Sequence, residues 1–481
     1  MSNKKQEFVQ HIASRSENFS QWYTDVILKT EMVDYGPVKG TMVIRPYGYG
    51  VWELIQKEMD DRFKATGHQN AYFPLLIPES LLKKEVEHVE GFAPEVAWVT
   101  RGGQEELAEP LVIRPTSETI ICAMYSKWVQ SWRDLPLKYN QWCNVLRWEK
   151  STRPFLRTSE FLWQEGHTAH ATEEEAMEET LTMLGVYKDF AENVLAIPVI
   201  TGQKSDSEKF AGASRTYAME AMMQDGQALQ AGTSHYLGQH FASVFDIQFL
   251  DKDGTHKYVH QTSWGTSTRM IGGVVMVHGD DRGLALPPKI APIQAVILPI
   301  AMHREGVLEA AGKLADTLKA AGVRVHVDDR EGQTAGWKFN EWEMRGVPVR
   351  IEIGPRDIEA GQVVAVRRDT MEKMTLPIEG IDKSVRDLLV SVQQGLYDRA
   401  LALRESRTFT AVNFEELREG IEDKKGFVKA MWCGDPACEA EIKARTGATS
   451  RVIPFEQEQL ADTCVCCDEK ARYMTIFARS Y

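Results

Sequence analysis

Apolar and polar positions alternate along this chain in blocks of clearly different period. Leu54, Ile55, Met59 and Phe63 fall at helical spacing among Glu53, Lys57, Asp60, Asp61 and Lys64, which predicts an amphipathic helix. Tyr72 to Ile77 is a short apolar run closed by Pro78 and reads as a strand. Asn140 to Glu149 and Phe161 to His170 flank a segment with Lys150, Arg153 and Pro154, and predict an antiparallel pair joined by a long hairpin. Thr172 to Leu195 is acidic at its front and apolar-periodic behind, so Thr172 is a fitting N-cap. No βαβ alternation organises the residues up to about 285.

The pattern then changes. Leu286-Pro-Pro-Lys-Ile-Ala-Pro292 is a proline-rich joint, and the main domain boundary is expected there. Beyond it come an apolar strand at 294–299, a helix at 305–321 ended by Gly322 as its C′ residue, and an alternating strand at 323–327. A helix near 335–345 and a strand at 347–353 follow, so this is a small α/β domain. Cysteines mark a third region from about residue 405. The expected domains are therefore 1–285, 286–404 and 405–481.

Composition narrows the class. A chain of 481 residues, 43% hydrophobic and 26% charged, has ordinary globular values. No apolar run reaches the roughly 18 residues that cross a bilayer. Residues 1–18 carry Lys4, Lys5 and Arg15 without the apolar core of a secretion signal, so a cytoplasmic location and no membrane partner are expected. The net charge of −13 speaks weakly against a nucleic-acid partner, because local clusters steer binding more than the total does. Seven cysteines are too few for a disulfide scaffold. Cys122 and Cys143 stand alone, whereas Cys433, Cys438, Cys464, Cys466 and Cys467 are grouped. Two cysteine pairs so spaced suggest a tetrahedral thiolate zinc site, with five thiols competing for four places. Cys464 with Cys467 makes the C-x₂-C knuckle.

The candidate chemistry starts at Arg147-Trp148-Glu149. In a strand, residues two apart share a face, and a guanidinium beside a carboxylate there can hold a phosphate and an amino group. Alone, such a pair is more often a cross-strand ion pair. A basic loop with Arg153 and Arg157 follows, then Thr158 and a returning strand that begins with Phe161. Arginines that neutralise phosphates and an aromatic ring that stacks on a base are what an ATP platform needs. Downstream, Arg269 precedes the apolar, glycine-rich run Gly272 to Gly283.

Together these pieces resemble motifs 2 and 3 of class II aminoacyl-tRNA synthetases, and Gly67 to Pro78, with Pro74, resembles motif 1. Within the class the chain is similar to the prolyl-tRNA synthetase family. The likeness rests on Arg114-Pro-Thr116-Ser-Glu118-Thr, Arg147-Trp-Glu, Phe155-Leu-Arg157-Thr, Phe161-Leu-Trp163-Gln-Glu165-Gly-His167, Gly232-Thr233-Ser-His235 and Ser263-Trp264-Gly265. It runs from about residue 20 to the closing Phe477-Ala-Arg-Ser-Tyr481.

The resemblance implies an α+β catalytic domain built on an antiparallel sheet, an α/β anticodon-binding domain, and a small zinc-bearing C-terminal domain. It implies activation of L-proline with ATP and Mg²⁺, transfer to tRNA(Pro), and a homodimer through motif 1. By the same resemblance Arg147 bridges the α-phosphate and the proline carboxylate, Glu149 meets the adenine amino group and Phe161 stacks on the ring. Arg157 and Arg269 hold the outer phosphates, and Thr158, Gln230 and Thr233 complete the nucleotide contacts. Thr116 and Glu118 receive the imino group, while Trp163, Glu165, His167 and His235 wall the proline ring. Zinc is implied to be structural, and Cys466 matches some relatives better than Cys467 does.

About 120 residues separate Arg147 from Arg269, which leaves no room for the editing insertion of bacterial-type enzymes. The archaeal and eukaryotic-type architecture without cis-editing is expected. Arg330, Lys338, Arg345, Arg350 and Arg356, with Trp337 as a stacking candidate, suggest an RNA-facing surface in the second domain. The competing readings are another class II synthetase (threonyl or glycyl) and a non-catalytic, synthetase-like RNA-binding protein. Retention of Arg147 and Arg269 disfavours the latter.

Overall fold

A computed structural model describes residues 12–88 and 95–481, with the side chains of 85–88 excepted; Lys4 and Lys5 lie outside these residues. The expected α+β class is what the chain adopts. Its centre is a long sheet, ordered Thr408–Ala411, Phe427–Trp432, Tyr473–Ala478, Thr449–Pro454, Val199–Gln203, Arg215–Met222, Ala228–Gly238, His260–Ser267, Glu160–His170, Leu137–Leu146, Gln69–Asn70. The strands from Val199–Gln203 to Leu137–Leu146 are antiparallel throughout. C-terminal strands extend this sheet directly, since Ile453 pairs with Gln203 and Pro454 with Gly202.

Helices cover the sheet because their apolar stripes require it. Pro46–Ala65 buries Val51, Ile55, Met59 and Phe63, the stripe legible in the sequence. Glu173–Asn193 starts where Thr172 accepts a hydrogen bond from the Glu175 amide at 3.2 Å, leaving three acidic residues at its positive end. Arg269–His278 is buried from Met270 to His278. A Cβ on Gly272 would lie 2.5 Å from Leu156 and 2.9 Å from the Tyr23 hydroxyl, so only glycine lets this helix approach the loop before Phe161.

The second region is a five-stranded sheet, ordered Val325–Val327, Ala295–Pro299, Val349–Ile353, Gln362–Arg367, Lys373–Pro377. Its helices Val307–Ala320 and Ala335–Met344 match the expected ones closely, and Gly322 adopts φ +80° past the helix end.

Two local expectations change. Only Leu76–Pro78 of the run 72–77 is strand. The chain there crosses between sheets: the Ala71 amide bonds Asn140 O at 2.8 Å, and Leu75 O accepts from the Arg114 amide at 3.0 Å. The first hairpin strand ends at Leu146, not Glu149. The Arg147 amide still bonds Ser159 O at 2.8 Å, but the Trp148 amide turns to Glu95 O at 2.9 Å, so Arg147 and Glu149 do not share a strand face. At the proline-rich joint, Leu286, Ile290 and Ala291 belong to the main hydrophobic cluster.

Candidate active site and cysteine cluster

One cavity gathers Thr116, Glu118, Arg147, Phe161, Trp163, Glu165, His167, Gln230, Thr233, His235 and Arg269. Antiparallel pairing explains the convergence. Strand Glu160–His170 lies between Leu137–Leu146 and His260–Ser267, so alternate residues Phe161, Trp163, Glu165 and His167 share one face.

At one end Glu165 is 3% exposed and collects donors: His167 Nε2 at 3.0 Å, Gln141 Nε2 at 3.0 Å and Ser117 Oγ. Burial alone would raise its pKa, but the bonds from His167, Ser117 and Gln141 hold it below the usual carboxylate range. Burial would likewise lower His167, and its bond to Glu165 raises it above the ordinary imidazole value. Both shifts favour the imidazolium–carboxylate form of the pair. His235 behaves oppositely: burial, helped by the charge of His167, pushes it down to about 3. Thr216 Oγ1 accepts from the Phe210 amide at 3.0 Å and is hydrogen-bonded to His235 Nδ1, also at 3.0 Å.

Arg147 and Glu118 are left as the unmatched charges of this end. Glu118, the first residue of helix Glu118–Trp128, accepts from Thr116 Oγ1. Arg147 donates from Nε to Pro115 O at 3.0 Å, and this is the only hydrogen bond of its guanidinium among the described residues. The Phe161 and Trp163 rings flank it, each with its centroid 5.5 Å away. Arg147 is exposed on the cavity wall; desolvation by the surrounding protein lowers its pKa, opposed by Glu118, Glu165 and Glu149.

At the other end Arg269 opens a helix, donating from Nε to Leu156 O at 3.1 Å. Burial and the neighbouring Arg147 and Arg157 depress its pKa, with Glu220 and Glu149 opposing. A guanidinium at a helix N-terminus, near two others, is a ready anion site.

Three expected nucleotide residues do not line the cavity. Glu149 and Arg157 bond each other at 2.8 Å, and Thr158 turns its hydroxyl to Glu160 O at 2.7 Å. Conversely, Lys204, Glu208, Phe210 and Thr216 line it although no motif flags them. Ser263 and Trp264, quoted above only as a signature, line it as well.

The five cysteines separate into four and one. The sulfurs of Cys433, Cys438, Cys464 and Cys467 all lie within 4.8 Å of one another, and Cys466 is not in the group. Cys433 Sγ is 3.7 Å from Cys438 Sγ and 3.8 Å from Cys467 Sγ. A tetrahedral ion with bonds of about 2.3 Å spaces its sulfurs about 3.8 Å apart, so this group could hold one.

The basic cluster of the second region is largely spent internally. Arg330 pairs with Asp328 and Glu341, Lys338 with Asp328, Arg345 with Glu31, and Arg350 with Glu343 and Glu352. Trp337 lies under Arg330 at 5.2 Å. Among these cations only Arg356 is exposed with no ion pair among the described residues.

This fold and this site define a class II aminoacyl-tRNA synthetase. Residues 98–278 match the family described as tRNA synthetase class II core domain (G, H, P, S and T), 294–388 an anticodon binding domain, and 414–481 the prolyl-tRNA synthetase C-terminal family. The chain is 62% identical to a proline–tRNA ligase of Alkaliphilus oremlandii and 59% identical to proline–tRNA ligase 2 of Clostridioides difficile, over the full length of all three. A crystal structure of prolyl-tRNA synthetase from Cryptosporidium parvum, complexed with halofuginone and AMPPNP, superposes with a TM-score of 0.94 at 44% identity, covering 98% of this chain and 99% of that one. The chain belongs to the prolyl-tRNA synthetase family, the ATP-dependent proline–tRNA ligases.

Proposed function

We propose that the Glu118–Arg147 end of the cavity takes the proline zwitterion and the Gln230–Arg269 end takes ATP with its Mg²⁺. The observation that carries this reading is the charge left over after internal pairing. Glu165 and His167 neutralise each other, His235 is neutral, and one carboxylate and one guanidinium remain. That is the complement of an amino acid with one ammonium and one carboxylate. A secondary ammonium has two N–H donors, and Glu118 with Thr116 offers acceptors for both.

In this reading Arg147 holds the proline carboxylate against the α-phosphorus. A carboxylate oxygen attacks phosphorus, the bond to the bridging oxygen breaks, and pyrophosphate leaves. The work is positioning and charge neutralisation, without a general base. Phe161 stacks on adenine, and Arg269 meets the outer phosphates with Gln230 and Thr233 beside it. Glu149, Arg157 and Thr158 join only if the nucleotide replaces the Glu149–Arg157 pair, an exposed ion pair worth roughly 0–1 kcal/mol. The 3′-terminal adenosine hydroxyl of tRNA(Pro) then attacks the prolyl carbonyl and releases AMP. Charging of tRNA(Pro) transcript with labelled proline tests the whole reading: esterified proline is expected, and none would overturn it.

The domains proposed are 1–285 for catalysis, 286–404 for the anticodon and 405–481 for the cysteine-bearing unit. Residues 147–269 are taken up by the sheet, helices Glu173–Asn193 and His240–Phe245, a two-stranded pair Gln248–Leu250 with His256–Tyr258, and connections, and the reading includes no cis-editing. A homodimer through the motif 1 segment is supported by Tyr72, Leu76 and Trp98, which are large apolar side chains left exposed there. No helix among the described residues is long and apolar enough to cross a membrane, and the free thiols suit the reducing cytoplasm.

The four-cysteine group is proposed to hold structural Zn²⁺. Removing the ion with a chelator, or substituting Cys438→Ser, is expected to lower the unfolding midpoint by roughly 10 °C. Metal analysis should find one zinc per chain; an unchanged midpoint in a zinc-free protein would contradict the assignment.

The chain terminus is part of the site's support. Tyr481 donates its amide to Ala228 O at 3.2 Å and its hydroxyl to Asp225 at 2.5 Å. Arg153 of the motif 2 loop lies between the Tyr481 and Tyr23 rings, at 5.2 and 4.8 Å. An appended C-terminal tag is expected to lower the exchange rate about 10-fold by displacing this loop. Equal rates for tagged and untagged protein would remove the idea.

A further inference from the structure

A fully buried ionic group lies behind the nucleotide end of the cavity. Glu220 has no solvent exposure. Arg451 grips its carboxylate as a fork, Nη2 to Oε1 at 2.9 Å and Nε to Oε2 at 3.2 Å. Lys204 Nζ stands 3.6 Å from Oε1 and donates to Arg451 O at 3.0 Å. Arg451 Nη1 is itself held by Thr449 Oγ1 at 2.9 Å and Ser480 Oγ at 3.0 Å. Glu220 lies on strand Arg215–Met222 and Lys204 directly follows strand Val199–Gln203, whereas Arg451 comes from strand Thr449–Pro454 in the C-terminal region. The strands meet closely, since a Cβ on Gly202 would lie 2.3 Å from Ile453 O.

The position of Glu220 gives this group a use. It sits directly opposite Gln230, where the register of the two strands shifts. Met219 pairs with Gly232 and Glu220 with Gln230, so Ala231 is the extra residue of a bulge. Bulges re-aim the side chains beside them, and here Gln230, Ala231, Gly232 and Thr233 all line the cavity. Lys204 lines it as well. A carboxylate gripped by a planar fork has little freedom to move. It therefore pins the strand that carries the bulge.

We propose that Arg451, Glu220 and Lys204 are positioning residues for ATP, through which the C-terminal region holds the Gln230–Thr233 bulge in place. This rests on the assignment of that wall to the nucleotide. Among the described residues no hydrogen bond or ion pair joins this network to the Glu118 or Arg147 side chain, so its loss is expected to act on ATP more than on proline.

The test is steady-state exchange kinetics on full-length R451M and R451K, with unfolding midpoints measured alongside. R451M is expected to raise KM for ATP about 10-fold and to change KM for proline less than about 2-fold, the pattern of a lost binding contribution. R451K keeps the charge without the fork and should recover part of the loss. A folded R451M with unchanged KM for ATP, or with both KM values raised equally, overturns the proposal. If R451M does not fold, K204M is read in the same way, and an unchanged KM for ATP there is equally fatal. Calorimetric binding of ATP to wild type and variant separates this from the wider reading. Failure of wild type to activate proline while R451M still weakens ATP binding would sink the amino-acid assignment and leave the network standing.

Discussion

Substituting Arg147→Met is expected to reduce proline-dependent pyrophosphate exchange by about 10³-fold, the usual cost of losing one preorganised donor to a developing anion. The reason is positional. Arg147 is the unmatched guanidinium of the amino-acid end, tethered by Nε to Pro115 O and flanked by Phe161 and Trp163. In the proposed arrangement its remaining donors serve two anions that repel each other, the proline carboxylate and the α-phosphate. R147K should fall well short of wild type, because an ammonium cannot present two parallel donors. Stopped-time exchange assays check both variants. Retention of a tenth or more of the wild-type rate by R147M would contradict the role.

The second large effect is expected at Glu165→Gln, which should raise KM for proline about 100-fold, as loss of a buried charged hydrogen bond does. Glu165 raises the pKa of His167 although burial opposes it. Without that anion the ring becomes neutral, and the pocket no longer balances its own charges. The pH dependence follows with a definite sign. The folded pKa of His167 is raised, so its stabilisation is fully present below the unfolded imidazole value and fades as pH rises through the folded one. Glu165 is depressed, so its share is present above the unfolded carboxyl value and is lost as pH falls through the folded one. Between about pH 4.5 and 6.5 both contributions stand. Wild-type kcat/KM for proline should decline on the alkaline side with an apparent pKa above that of a free imidazole, and that limb should move to lower pH in E165Q. An identical profile in the two proteins would refute the coupling.

How much of this was legible in the sequence depends on the range of the interaction. The helix Pro46–Ala65 and its buried Ile55, Met59 and Phe63 follow from local periodicity, as does the Thr172 cap. The alternate residues Phe161, Trp163, Glu165 and His167 could be placed on one face because a strand repeats every two residues. Arg147 and Glu149 could not, since the strand ends at Leu146 when Trp148 finds Glu95, about fifty residues away in the chain. Lys204, Phe210 and Thr216 reach the cavity only through strand pairings and the hydroxyl of Thr216, which leave no mark on the spacing. The basic residues of 330–350 looked like an RNA surface because their acidic partners, Glu31 among them, are distant or interleaved. Five cysteines could not be reduced to four until the fold brought Cys467, and not Cys466, to Cys433.

The central claim is that one unmatched carboxylate and one unmatched guanidinium select a zwitterion of proline's shape beside ATP. ATP–pyrophosphate exchange with each amino acid in turn tests it most directly. Exchange driven by proline, and by no other amino acid at comparable kcat/KM, is the result predicted. Preferential exchange with a different amino acid would contradict the roles given to Thr116, Glu118 and His167.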